Sequence, residues 1–223
     1  EGPDLVSYNT AMRVCGQGGK WRAAMQLLVE MQEEGITPDM ASYNSILHGL
    51  AQRGEWWRTR RVFLQAERAG LRPNTFSYNA VIEAAGVGSR SPSHNMIQIL
   101  YRMEREDLEP TAYTYSTLLQ CLVKRGELKD GYQVLTTLLD GRAPLLPRGY
   151  AAGVRLCKEH GDWRRAMVLV KHMREEGHRP SGLTYLRAVQ VCASAGQWER
   201  AISLMAEQRR MWERLHRERR AKS

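Results

Sequence analysis

The chain has 223 residues, 43% hydrophobic and 26% charged, which fits a soluble folded protein. No apolar run approaches the roughly 18 residues that a membrane span needs, and the opening EGPDLVSYN lacks the basic and apolar regions of a signal peptide. The net charge of +9 comes from 33 basic residues, six Lys and 27 Arg; arginine forks grip phosphate and stack on bases, so the bias points to nucleic acid, although a GC-rich genome produces the same excess.

In chain order, LVSYNTAMRVCGQ comes first, with Leu5, Tyr8, Ala11, Met12 and Cys15 at helical spacing. Glycines 18 and 19 end that helix, because glycine takes the left-handed conformation beyond a helix C-terminus without steric cost. KWRAAMQLLVEMQEEG follows, with Trp21, Ala24, Met25, Leu28 and Met31 on one face; Gly35 stops it and Thr-Pro-Asp turns the chain. Residues 5–39 are therefore predicted to form a hairpin of two helices, A and B.

The hairpin then repeats. Ser-Tyr-Asn returns at Tyr43 and Tyr78, and the tyrosines Tyr8, Tyr43, Tyr78, Tyr115, Tyr150 and Tyr185 are spaced by 35, 35, 37, 35 and 35 residues. Gly19, Gly54, Gly126, Gly161 and Gly196 each follow a tyrosine by 11, and Trp21, Trp56, Trp163 and Trp198 by 13. Such a period is the signature of a solenoid, in which each unit completes its neighbour's core. The units fall at 5–39, 40–74, 75–111, 112–146, 147–181 and 182–216, making residues 1–223 one array. The Trp and Gly ladders read as structure, Trp packing between hairpins and Gly making turns. The third unit has a longer turn, GVGSRSPSH, with Ser91 placed as N-cap and Pro92 as the first helical residue. The fourth ends irregularly in LLDGRAPLLPRGY. The last continues as a basic helix to about residue 221, whose Arg209, Arg210, Arg214 and Arg217 are candidates for phosphate contact or for a polar cap on the array. Gly-Pro-Asp at 2–4 matches Thr-Pro-Asp at 37–39, so the sequence is expected to open on the last turn of a repeat, with either more repeats before it or a cover over the exposed end.

Cys15, Cys157 and Cys192 lie seven residues after a tyrosine, and Cys121 six after one. Cysteines in equivalent positions of different repeats, without short C-x₂₋₄-C spacing, read as small buried apolar residues rather than metal ligands or disulfides. The histidines share no register, so no metal and no cofactor is expected.

The period, the Ser-Tyr-Asn helix and the Gly-x-x-Pro-Asp closure together resemble the pentatricopeptide repeat (PPR) family over residues 3–216. The resemblance implies an all-α, right-handed superhelical solenoid of about six stacked 35-residue hairpins, with helix A lining the inner surface. It also implies single-stranded RNA binding in an organelle, mitochondrion ahead of chloroplast, with about one base read per repeat by two or three side chains. In the family the reading residues are the one after the tyrosine and the last of the repeat. Here they pair Asn9 with Asp39, Asn44 with Asn74, Asn79 with Thr111, Ser116 with Leu146, and Ala151 with Ser181; Leu186 opens the last unit. Val6, Ala41, Phe76 and Tyr113, two before each tyrosine, would pack against the bases. An Asn amide donates and accepts, which suits a pyrimidine edge. Asp39 would accept from the N3–H of uracil, and Asn74 suits cytosine or uracil. The same asparagines also fit a purely structural inter-repeat hydrogen bond. From the fourth repeat on, Leu146, Ala151 and Leu186 lack the polar groups to read a base.

Three functions follow. The first is a sequence-preferring RNA binder acting in organelle RNA metabolism or translation. The second is a constitutive subunit of an organelle ribosome or other ribonucleoprotein, holding ribosomal or other structured RNA and neighbouring proteins. The third is a protein-only adaptor. An enzyme is not expected: no zinc-deaminase signature, catalytic Asp cluster or P-loop is present, and no small-molecule substrate is implied.

Overall fold

The computed structural model describes residues 2–88, 94–141 and 143–220, without the side chains of residues 94–95 and 214–220. The described residues are all-α, and each predicted repeat holds two helices. These are α1 (Leu5–Gln17), α2 (Trp21–Glu33), α3 (Met40–Gln52), α4 (Trp56–Arg68), α5 (Thr75–Val87), α6 (His94–Arg105), α7 (Ala112–Arg125), α8 (Leu128–Asp140), α9 (Pro147–Glu159), α10 (Trp163–Glu175), α11 (Gly182–Ser194) and α12 (Trp198–Arg220). None is long and apolar enough to cross a membrane, and the described residues hold no cluster of three or more metal-ligating side chains. The placement of Ser91 and Pro92 at a helix start lies outside the described residues.

The helices form two compact units, Glu1–Arg125 and Gly126–Ser223. In the first, α1, α3, α5 and α7 pack in succession, and α2, α4 and α6 lie against their own helix A. In the second, α9 packs on α11, and α8, α10 and α12 on the A helices beside them. Each core is built from the predicted stripes. Tyr8, Tyr43, Tyr78, Tyr150 and Tyr185 are buried, with Met12, Leu47, Ile82 and Val154 a turn further along their helices. From the B helices come Leu28, Phe63, Leu100, Leu135 and Val170.

The A–B turns use glycine where φ is positive, as at Gly19 (72°) and Gly161 (69°). At the B-helix ends the same conformation falls on Gly35, Gly70 and Gly177, and in the third repeat on Asp107 (φ 55°), a short polar residue that tolerates it. Three cysteines, Cys121, Cys157 and Cys192, are buried as expected; Cys15 is half-buried.

The tryptophans divide where the sequence suggests one role. Trp56 is buried, whereas Trp198 is 63% exposed. Trp21 and Trp163 each lie under an arginine from the following repeat, Arg58 at 4.6 Å and Arg200 at 4.2 Å from the ring centroid. Each arginine stands two residues past the next tryptophan, so a cation–π contact ties consecutive B helices in both units.

Candidate nucleic-acid interface

The last residue of a repeat is the N-cap of the next helix A. Asp4, Asp39, Asn74 and Ser181 have extended backbones, and their side chains accept from the amides of Ser7, Ser42, Ser77 and Thr184. Each satisfies a helix N–H that has no partner within the helix. For Asp39 and Asn74 the bond is reciprocal: the hydroxyls of Ser42 and Ser77 accept from the cap amides at 3.3 Å and 3.2 Å. In the second and third repeats the serine of Ser-Tyr-Asn is thus the far side of a capping box, and the tyrosine is core in all three copies.

The asparagine faces the next cap directly in the first two repeats. Asn9 Nδ2 donates to Asp39 Oδ1 at 3.5 Å, and Asn44 Nδ2 donates to Asn74 Oδ1 at 3.4 Å. Asn44 Oδ1 also accepts from the Ser77 hydroxyl at 2.8 Å. Side chains 30 residues apart are brought together as expected, and they are joined by the inter-repeat hydrogen bond that the sequence left as the alternative. Asn9 Oδ1 is enclosed without a hydrogen-bond partner. Partial burial pushes the Asp39 carboxyl up, but the bonds from the Ser42 amide and hydroxyl and from Asn9 outweigh it and hold it below the usual carboxylate range.

The third repeat differs. Asn79 is buried, its Oδ1 lacks a hydrogen-bond partner, and no hydrogen bond joins it to Thr111. The Thr111 hydroxyl lies 3.2 Å from that of Thr114. Ser116 is 0% exposed. α7 turns Thr114, Ser116, Thr117, Leu118 and Leu119 inward together. In the second unit Ala151 is half-buried, Ser181 caps α11, and Leu183 and Leu186 are exposed. Leu146 caps α9 without a side-chain hydrogen bond, and Pro147 begins the helix in its place.

The base-packing candidates lie at the surface: Val6 is 68% exposed, Phe76 49% and Tyr113 38%, and Ala41 is exposed as well. Phe76 sits 5.8 Å from the His48 ring, an aromatic neighbour that the sequence reading passed over. The capping serines were readable, from Asp, Asn, Ser or Thr three residues before Ser or Thr at 4, 39, 74, 111 and 181. On α12, Arg209 pairs with Glu213 at 3.1 Å and Arg210 donates to the Ala206 carbonyl at 3.3 Å, both at the surface. The side chains of Arg214 and Arg217 lie outside the described residues.

Three family models match the chain: a PPR repeat family over residues 3–52, a pentatricopeptide repeat domain over 61–125, and the PPR repeat over 41–71, 113–139 and 154–178. No curated protein matches at the level of sequence. Among solved structures, the pentatricopeptide repeat protein PPR10 in complex with an 18-nt psaJ RNA element is similar at 21% identity and a TM-score of 0.64, over 92% of this chain and 29% of that one. PPR10 from maize matches at 20% identity and 0.62, over 94% and 30%. The PPR domain of Arabidopsis thaliana protein-only RNase P 1, in complex with tRNA, matches at 16% identity and 0.62, over 74% of this chain and 86% of that one. This chain spans less than a third of the length of PPR10, and likeness at these identities shows the fold. Its helix hairpins, recurrent buried tyrosines and family matches place the chain in the pentatricopeptide repeat family.

Proposed function

We propose that the chain is a non-catalytic RNA-binding protein of an organelle, the mitochondrion ahead of the chloroplast, with Asn9–Asp39 and Asn44–Asn74 as its base-reading pairs. One observation carries this reading: in two successive repeats the two side chains meet, a carboxylate in the first and an amide in the second. The exposed Val6 and Phe76 supply apolar surface near each helix start. Repeat one then prefers uracil, whose N3–H meets the Asp39 carboxylate; repeat two takes cytosine or uracil through the Asn74 amide. The organelle is inferred from the family resemblance.

A second reading is favoured by the burial of Asn79 and Ser116 and by the exposed Leu183 and Leu186. Two read bases discriminate too little to select one site in a transcriptome, so the rest of the chain would meet RNA backbone and protein within a ribosome or other ribonucleoprotein.

Crosslinking the native protein in cells and sequencing the attached RNA separates the two. A few messenger or precursor sites sharing a pyrimidine step support the reader; one dominant ribosomal-RNA site makes the chain a structural subunit. In vitro, N9A/N44A is expected to weaken binding to oligouridylate about 10-fold or more, equivalent to about 1.4 kcal/mol. Unchanged affinity would remove the pairs from the mechanism.

A further inference from the structure

Helix α4 carries WWRTRRVFLQAER, and its two faces differ sharply. Trp56, Thr59, Val62, Phe63 and Ala66 are buried. At about 100° per residue, Trp57, Arg61 and Arg68 fall on the side opposite Phe63, with Arg60 flanking them. Trp57 is 64% exposed, and the three arginines are exposed too.

The carboxylates at the two ends of this helix, Glu55 and Glu67, are both engaged by other arginines. Glu55 pairs with Arg58 and, at 3.5 Å, with Arg53, while Glu67 pairs with Arg102 of α6. Among the described residues, no ion pair or hydrogen bond falls to the side chains of Arg60, Arg61 or Arg68. The face thus carries an exposed ring and three uncompensated guanidinium groups along its length. The ring contrasts with Trp21 and Trp163, whose rings arginines already cover.

We propose that this face of α4 is a second RNA-binding surface, distinct from the Asn–cap pairs. Arg60, Arg61 and Arg68 meet phosphates, and an unpaired base stacks on Trp57. Three cations without anions are complementary to a polyanion, and an exposed indole offers a stacking platform to any base. The inference rests on the reading that the chain binds RNA. It adds that a strand outside the inner surface is held by backbone and stacking rather than by sequence.

The probe is a labelled RNA hairpin with an open loop, bound to the full chain over a range of salt concentrations. Removing one arginine–phosphate interaction flattens the log–log salt dependence by about 0.7–0.9, so R60Q/R61Q/R68Q should flatten it by about 2 or more. The control R72Q/R179Q, two exposed arginines off this face, should change it less than half as much. Base stacking should quench Trp57 emission, and the quenching should be absent in W57F. An unchanged slope in the triple variant overturns the proposal, as does equal quenching in W57F and the wild-type chain. Loss of the triple variant from native particles with the slope intact would mark a protein interface instead, and also overturns it. If the wild-type chain binds neither the hairpin nor oligouridylate, the RNA-binding reading itself falls and takes this one with it.

Discussion

Gly49 of α3 lies so close to α1 that a Cβ built on it would stand 2.3 Å from the carbonyl carbon of Gly16. The obstacle is backbone, which cannot rotate aside, so consecutive A helices touch with no side chain between them. Gly49→Ala gains up to about 1 kcal/mol in helix propensity. It forces α1 and α3 apart, and overpacking of this kind costs about 1–3 kcal/mol or more. We expect net destabilisation of about 2 kcal/mol in urea unfolding. Gly182→Ala meets only Gln208 Nε2 at 3.6 Å and should be neutral or slightly stabilising.

Asp39 caps α3 and also meets Asn9, so truncating it removes two things at once. Asp39→Ala should cost about 1 kcal/mol of stability through the missing cap and weaken RNA binding as well. Asp39→Asn keeps a capping oxygen, so its melting temperature should stay near wild type while the first repeat shifts from uracil towards cytosine. Competition between oligonucleotides differing at one position would show it. Unchanged base preference in D39N would leave the residue a cap and nothing more.

Asp162 accepts from the Tyr132 hydroxyl at 2.6 Å, from the Arg165 guanidinium at 2.9 Å and from the Arg165 amide at 3.0 Å. Burial pushes its carboxyl up, but these bonds outweigh it and hold it below the ordinary range. A carboxyl whose folded value is depressed adds stability above its unfolded value of about 3.9 and loses it as pH falls through the folded value. The stability difference between wild type and Asp162→Asn should therefore be largest near neutrality and shrink below about pH 4. Tyr132→Phe removes one donor and should move that loss to higher pH.

The cysteines should react in order of exposure and thiolate character. Burial, helped by the nearby Asp162 carboxylate, pushes the Cys157 thiol up to about 12, and burial raises Cys192 as well. Cys15 is only half-buried. At about pH 8 a thiol reagent should modify Cys15 first, with Cys157 and Cys192 reacting only on unfolding. Rapid modification of Cys157 in the folded chain would contradict the packing of α9.

The fold was legible because each repeat states it again. Tyr78 and Tyr185 lie 107 residues apart in sequence, and each is 1% exposed. Single-copy features were harder to read. Asn79 and Ser116 occupy the same register as Asn9 and Asn44 and are buried, since register does not report how far a helix rotates. Trp56 and Trp57 are adjacent letters with opposite fates, 6% and 64% exposed, because one points at the hairpin core and the other away. The pairing of Asn44 with Asn74 was legible by resemblance. That Ser77 joins them was not, since it needs the third repeat folded against the second.

On the proposed reading the last residue of a repeat both caps a helix and meets a base, and that double duty restricts what an array of this kind can spell. A residue that must close the start of the following helix is drawn from Asp, Asn, Ser and Thr, the side chains that present an oxygen at short reach. Those are also side chains able to tell one base edge from another by hydrogen bonding. The vocabulary of recognition is thus inherited from helix chemistry, and it narrows to four letters before any RNA arrives. At Leu146, outside that vocabulary, the side-chain cap is missing and the helix starts on Pro147, so on the proposed reading cap and code lapse at the same position. A designer wishing to extend the code would first have to supply another way of starting the helix.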